Sequence, residues 1–166
     1  KLLAPLKGRP LVAHALTAAA LPEADFRLAV VSSDAVAAIA RQVGFDTLAL
    51  GPGMAQADSL TGGLAWLRAR GITRLVVMLG DMPWIVAADI RALLALAGDG
   101  AGCVTDGDTP SPPAVFPEAM FDALAALSGD RGAGALLRTI PQARRLSLPR
   151  ERLRDIDTLA DLQKDG

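Results

Sequence analysis

Two carboxylates carry the first sign of chemistry in this chain. Asp81 stands in Val76-Val77-Met78-Leu79-Gly80-Asp81-Met82-Pro83, directly after an apolar run and between a glycine and a proline. The run 75–79 is apolar on both faces, the mark of a strand covered on two sides. An ionised carboxylate cannot remain unpaired inside such a sheet, because desolvation penalises it heavily. Asp81 is therefore expected where the strand leaves the sheet, the edge at which open α/β sheets bind ligands. There an aspartate holds a divalent cation or a ligand hydroxyl, or merely caps the next helix. Pro83 fixes its own φ and keeps Met82 extended, so the chain leaves the strand in one shape that aims Asp81.

A lone carboxylate binds magnesium weakly, and a second one or substrate phosphates usually complete the site. The tail Asp155-Ile156-Asp157-Thr158 offers that partner. Its alternation turns both aspartates to one side and Ile156 to the core. The other reading is that Asp157 or Thr158 only caps the last helix.

The elements that must position these groups alternate between strand and helix patterns, which predicts βαβ units and a mainly parallel sheet. Helices are expected over 10–21, from Ser33 or Asp34 to Gly44, and over 58–70, 89–96, 121–127 and 133–140; strands are expected over 27–32, 47–50, 73–79, 102–105 and 145–148. Between them lie the loop Gly51-Pro52-Gly53-Met54, the turn Gly129-Asp130-Arg131-Gly132, and a polar, proline-rich loop over 106–113 that reads as a binding segment or a plain connector. A short helix is expected after Asp157.

With 166 residues, 51% of them hydrophobic, the chain can bury one core, and a single domain over 1–166 is the default. The net charge of −1 argues against a nucleic-acid surface. Arg144, Arg145, Arg150, Arg152 and Arg154 form the one basic cluster, but Glu151, Asp155 and Asp157 interleave with them, so a solvated face is favoured over an anion site. One cysteine excludes a disulfide framework and points to the cytoplasm. Cys103 reads as a buried, inert thiol and His14 as a half-buried helix residue, not a base. No stretch has the length of a membrane span, and no signal peptide is visible.

Four segments together resemble the molybdenum cofactor cytidylyltransferase branch of the nucleotidyltransferases: Lys1-Leu2-Leu3-Ala4-Pro5-Leu6-Lys7-Gly8-Arg9-Pro10-Leu11, Gly80-Asp81-Met82-Pro83, Gly129-Asp130-Arg131-Gly132-Ala133 with Leu136-Leu137, and Asp155-Ile156-Asp157-Thr158 with Asp161-Leu162. The resemblance implies an α/β, Rossmann-like three-layer fold. It also implies a reaction in which the terminal phosphate of molybdopterin, or of a related acceptor, attacks the α-phosphorus of a nucleoside triphosphate, CTP being favoured. By match to its motifs, Asp81 and Asp157 would hold Mg2+ and Lys1 would touch the triphosphate, these three forming the catalytic set. Ser59, Gly80, Met82 and Pro83 would contact the nucleotide. The implied partners are the nucleotide, a molybdopterin-like small molecule and a molybdoenzyme or its chaperone, with no nucleic acid and no membrane.

The first strand and glycine-rich loop that precede Lys1 in the family are absent, so the domain is expected to be N-terminally incomplete. Ser111-Pro112-Pro113 replaces the family's Gly-His-Pro or Gly-Asn-Pro, and the loop before Ser59 is longer than usual. A sugar-phosphate nucleotidyltransferase of the same fold and a noncatalytic nucleotide- or molybdenum-cofactor-binding protein are the alternatives.

Overall fold

The computed structural model of the chain describes residues 1–51, 53, 55–129 and 133–156. It opens with a hairpin, β1 (Pro5–Leu6) and β2 (Arg9–Pro10), closed by Lys7 and Gly8. Both turn residues have positive φ, 48° and 77°, the geometry that matches the twist of a two-residue hairpin. Then follow α1 (Leu11–Ala19), β3 (Leu28–Val31), α2 (Asp34–Gln42), β4 (Asp46–Ala49) and α3 (Gln56–Arg68). The second half holds β5 (Arg74–Val77), α4 (Ala87–Ala97), β6 (Gly102–Thr105), β7 (Pro110–Pro117), α5 (Phe121–Ala125), α6 (Gly134–Thr139), β8 (Arg145–Ser147) and α7 (Arg150–Leu153).

The strands form two main ladders with no bonds between them among the described residues. β3 and β4 pair in parallel, and β5-β7-β6-β8 forms a mixed sheet. In the mixed sheet β7 runs antiparallel to both β5 and β6, while β6 and β8 are parallel. Strands β5, β6 and β8 therefore share one direction, and β7 alone opposes them. The parallel tendency expected from the alternation is present, with this one reversal.

Side-chain alternation in the sheet builds three layers. Cys103 of β6 with Ala114 and Phe116 of β7 face Leu64 and Leu67 of α3, Phe121 and Leu124 of α5 and Leu137 of α6. Val104 and Val115 face the other way, onto Leu93 and Ala97 of α4. All four residues of β6 are buried, as a strand covered on both faces requires. Helix α3 approaches β3 so closely that a Cβ on Gly63 would lie 2.9 Å from Val30 Cγ2, which explains the glycine there.

Two sequence expectations are corrected. The segment 106–113 is only partly a loop, because β7 begins at Pro110. The four prolines of β7 disguise it, and the register shows how the middle two are accommodated. Ala114 pairs with Cys103 and Ser111 with Val104, so Pro112 and Pro113 sit in a bulge that asks no N–H of them. The arginine cluster is not simply a solvated face. Arg145 donates to the carbonyls of Ile140 and Arg138, both at 2.9 Å, and Arg152 binds the carbonyl of Trp84 and the carboxylate of Asp89. The turn expected over 129–132 falls, from Asp130 on, outside the described residues, as do Asp157 and everything after it. No described helix is long and apolar enough to cross a membrane.

Candidate functional site

Asp81 leaves the end of β5 as its apolar run predicts, and its side chain is 22% exposed. The helix-cap reading is excluded. The N-terminus of α4 is served by Asp89, whose Oδ2 accepts the N–H of Val86 at 2.9 Å. Asp81 instead meets Lys1, 80 residues earlier in the chain, with Nζ 2.9 Å from Oδ2. Its other oxygen, Oδ1, is buried and has no hydrogen-bond partner. Leaving a buried acceptor unsatisfied costs about 1–3 kcal/mol, more when it is charged. A buried anionic oxygen at a strand exit has the chemistry to accept a ligand donor or to hold a cation.

The loop around Asp81 is held from below and from the side. Met82 is 2% exposed and packs with Leu21, Ile85 and Ile90, while Gly80 lies against Val12 and Leu2. Met82 and Pro83 are both buried. What they can offer a ligand is main chain, and their side chains serve to fix the loop. Ile156, fully buried beside Leu6 and Leu11, donates its N–H to the carbonyl of Asp81 at 3.1 Å. The described part of the tail thus ends bonded to the residue whose partner it was expected to supply. Asp157 itself lies outside the described residues. Among those residues no group of three or more His, Cys, Asp and Glu could hold a metal.

Two clefts, each of about 310 Å3, share Val30, Val31 and Ser32 at the carboxyl end of β3. The first runs between 1–3 and the start of α2, with Lys1 on its wall. The second lies between Ser32, Gly51, Gly53 and Ser59. Ser59 sits in the first turn of α3 and lines this cleft, while the helix start is capped by Asp58, whose Oδ2 accepts the N–H of Ala55 at 2.8 Å. Lys1 links Asp81 to the first cleft, and Ser32 links that cleft to Ser59. The structure therefore gathers Lys1, Asp81 and Ser59 along one edge. Each cleft is at the lower end of the size range for small-molecule sites.

Two other titratable groups stand apart from this edge. His14 donates through Nε2 to the carbonyl of Leu6 at 2.9 Å, so it ties α1 to the hairpin. Cys103 is fully buried, and burial pushes its thiol up from the ordinary range, which makes it a poor nucleophile. The feature that sequence reasoning missed is the half-buried Arg152. Its interleaving with acidic neighbours looked like a solvated face, and only the separation of 68 residues to Trp84 explains the concealment.

The sequence model for the MobA-like NTP transferase domain matches residues 1–146. Among solved structures, a homologue of Rv0371c from Mycobacterium sp. strain JC1 is 26% identical, with 99% of this chain and 85% of that one covered and a TM-score of 0.79. Rv0371c of Mycobacterium tuberculosis H37Rv in complex with manganese gives 26% identity, 99% and 90% coverage, and the same TM-score, 0.79. A cytidylyltransferase from Leptospira borgpetersenii shares the fold at 15% identity, with 97% of this chain and 76% of that one covered and a TM-score of 0.69. No curated protein matches the chain.

Proposed function

The chain belongs to the family of MobA-like NTP transferase domains, and on that premise we propose that it transfers CMP from CTP to molybdopterin or a related phosphorylated acceptor. Nucleotidyl transfer is the activity of the family, whereas the base, the acceptor and the metal are the finer reading. The observation that carries this reading is the Lys1–Asp81 pair, whose lysine lines the first cleft and whose carboxylate has one oxygen buried and unpartnered. Its chemistry is that of triphosphate handling.

A terminal phosphate oxygen of the acceptor forms a bond to the α-phosphorus, the bond from that phosphorus to the bridging oxygen breaks, and pyrophosphate leaves with the electron pair. Little covalent help is needed, so positioning and charge neutralisation supply most of the rate. Lys1 brings a positive charge to the triphosphate. Ser59 offers its hydroxyl and the start of α3 to the base or a phosphate. Met82 and Pro83, both buried, hold the loop of Asp81 rigid, and Gly80 lies against Val12 and Leu2.

The donor set fits a divalent cation. An orphaned anionic oxygen is a hard ligand, and with one described carboxylate the remaining positions fall to substrate phosphates and to Asp157, the pattern usual for Mg2+. When bound, Mg2+ supplies neutralisation of charge on the phosphates. The manganese complex of Rv0371c supports the choice of a divalent ion.

The test is pyrophosphate release with CTP, GTP and ATP against molybdopterin and a panel of sugar phosphates. The reading expects CTP with molybdopterin to be the fastest pair. Preference for a sugar phosphate would move the acceptor to the alternative class, and binding of CTP without any turnover would favour a noncatalytic carrier.

A further inference from the structure

We propose that Arg152 is a positioning residue for Asp81, a role that rests on the reading of Asp81 as a metal and triphosphate ligand. The carboxylate of Asp81 receives little orientation from hydrogen bonds of its own, since among the described residues Oδ1 has none and Oδ2 meets Lys1. Its aim is inherited from its main chain. Among the described residues, that main chain is held by two hydrogen-bonded rungs to the segment that follows β8. At one rung the N–H of Ile156 binds the carbonyl of Asp81 at 3.1 Å. At the other, Arg152 Nε donates to the carbonyl of Trp84 at 2.9 Å.

The second rung is anchored further. Arg152 Nη2 pairs with Asp89 Oδ2, the same oxygen that accepts the N–H of Val86 at the start of α4. One guanidinium therefore joins three things: the loop carrying Asp81, helix α4 and helix α7. Arg152 is 36% exposed and Asp89 only 12%, so the pair is largely withdrawn from solvent. Leu153, next in sequence, packs on the cluster of Met82, Ile85 and Ile90, which sets α7 against the underside of the same loop. The planar fork can serve a carbonyl and a carboxylate at once, whereas a lysine in its place reaches one of them. Without Arg152 the rung at Trp84 opens, the bond from Ile156 remains as the hydrogen-bonded rung among the described residues, and the carboxylate loses its fixed direction. The core beneath, built on Met82 and Ile85, stays in place.

The consequence is a loss of metal affinity that exceeds any loss of fold. Mn2+ is the probe, its free concentration read by electron paramagnetic resonance on the whole chain with CTP present, and thermal melting is followed in parallel. Arg152→Gln is expected to weaken Mn2+ binding by about tenfold, the scale on which groups supporting a metal ligand act. Arg152→Lys is expected to fall between Arg152→Gln and the unaltered chain in affinity while melting close to the latter. Should Arg152→Gln fail to fold, Arg152→Lys alone decides. The control is Asp81→Asn. If it abolishes Mn2+ binding while the folded Arg152 variants bind as the unaltered chain does, the positioning role is overturned. If Asp81→Asn itself binds Mn2+ normally, the reading of Asp81 fails, and the proposal falls with it.

Discussion

Replacing Asp81 by Asn separates a functional carboxylate from a structural one. The exchange keeps the volume and removes the charge. Two opposing contributions to stability follow from the geometry. The ion pair with Lys1, at 2.9 Å and with side chains 32% and 22% exposed, is partly screened by solvent and contributes about 0–1 kcal/mol. The unpartnered Oδ1 costs about 1–3 kcal/mol, and a neutral amide relieves part of that penalty. Stability is thus expected to hold or to rise by about 1 kcal/mol, which for a domain of this size moves Tm up by about 2–4 °C. Turnover is expected to fall by about 100-fold or more, equivalent to about 2.7 kcal/mol of lost transition-state stabilisation. Circular dichroism gives Tm, and a coupled pyrophosphate assay gives the rate. A variant that melts well below the unaltered chain yet turns over at a similar rate would show that Asp81 is a structural anchor, and the reasoning would be refuted.

Lys1→Met should raise KM for the nucleotide about tenfold, the effect of one charge-assisted contact to a phosphate, while leaving Tm nearly unchanged; an unaltered KM would remove Lys1 from the site. Asp157→Asn should raise the Mg2+ concentration needed for half-maximal activity, and an unchanged metal titration would assign Asp157 to helix capping. Asp106 is held below the ordinary carboxylate range, first by the N–H groups of Thr109 and Asp108. Its folded value lies below its unfolded one, so its contribution to stability is present above the unfolded value of about 3.9 and fades as pH falls through the folded value. Asp106→Asn should flatten the loss of Tm in that acid window, and an identical pH profile would show the loop to be energetically silent.

What the sequence disclosed and what it hid follow from the range of the interactions. Strand β5 and the exit of Asp81 were legible because an apolar run followed by a charge is a local pattern, and β6 matched residue for residue for the same reason. Strand β7 was concealed by prolines that a bulge tolerates, and the opening hairpin by strands of two residues each. The Lys1–Asp81 pair spans 80 residues, and periodicity says nothing at that distance; only the family resemblance placed both in one site. Arg152 escaped because a guanidinium among acidic neighbours looks the same in sequence whether it faces water or binds Trp84.

A crystal structure with CTP and Mg2+ tests the central claim most directly. The account predicts an ion about 2.1 Å from an oxygen of Asp81 and in contact with the triphosphate, with Lys1 turned to the phosphates. A structure that holds the nucleotide in the clefts while Asp81 remains bound only to Lys1, with the metal elsewhere, would contradict it.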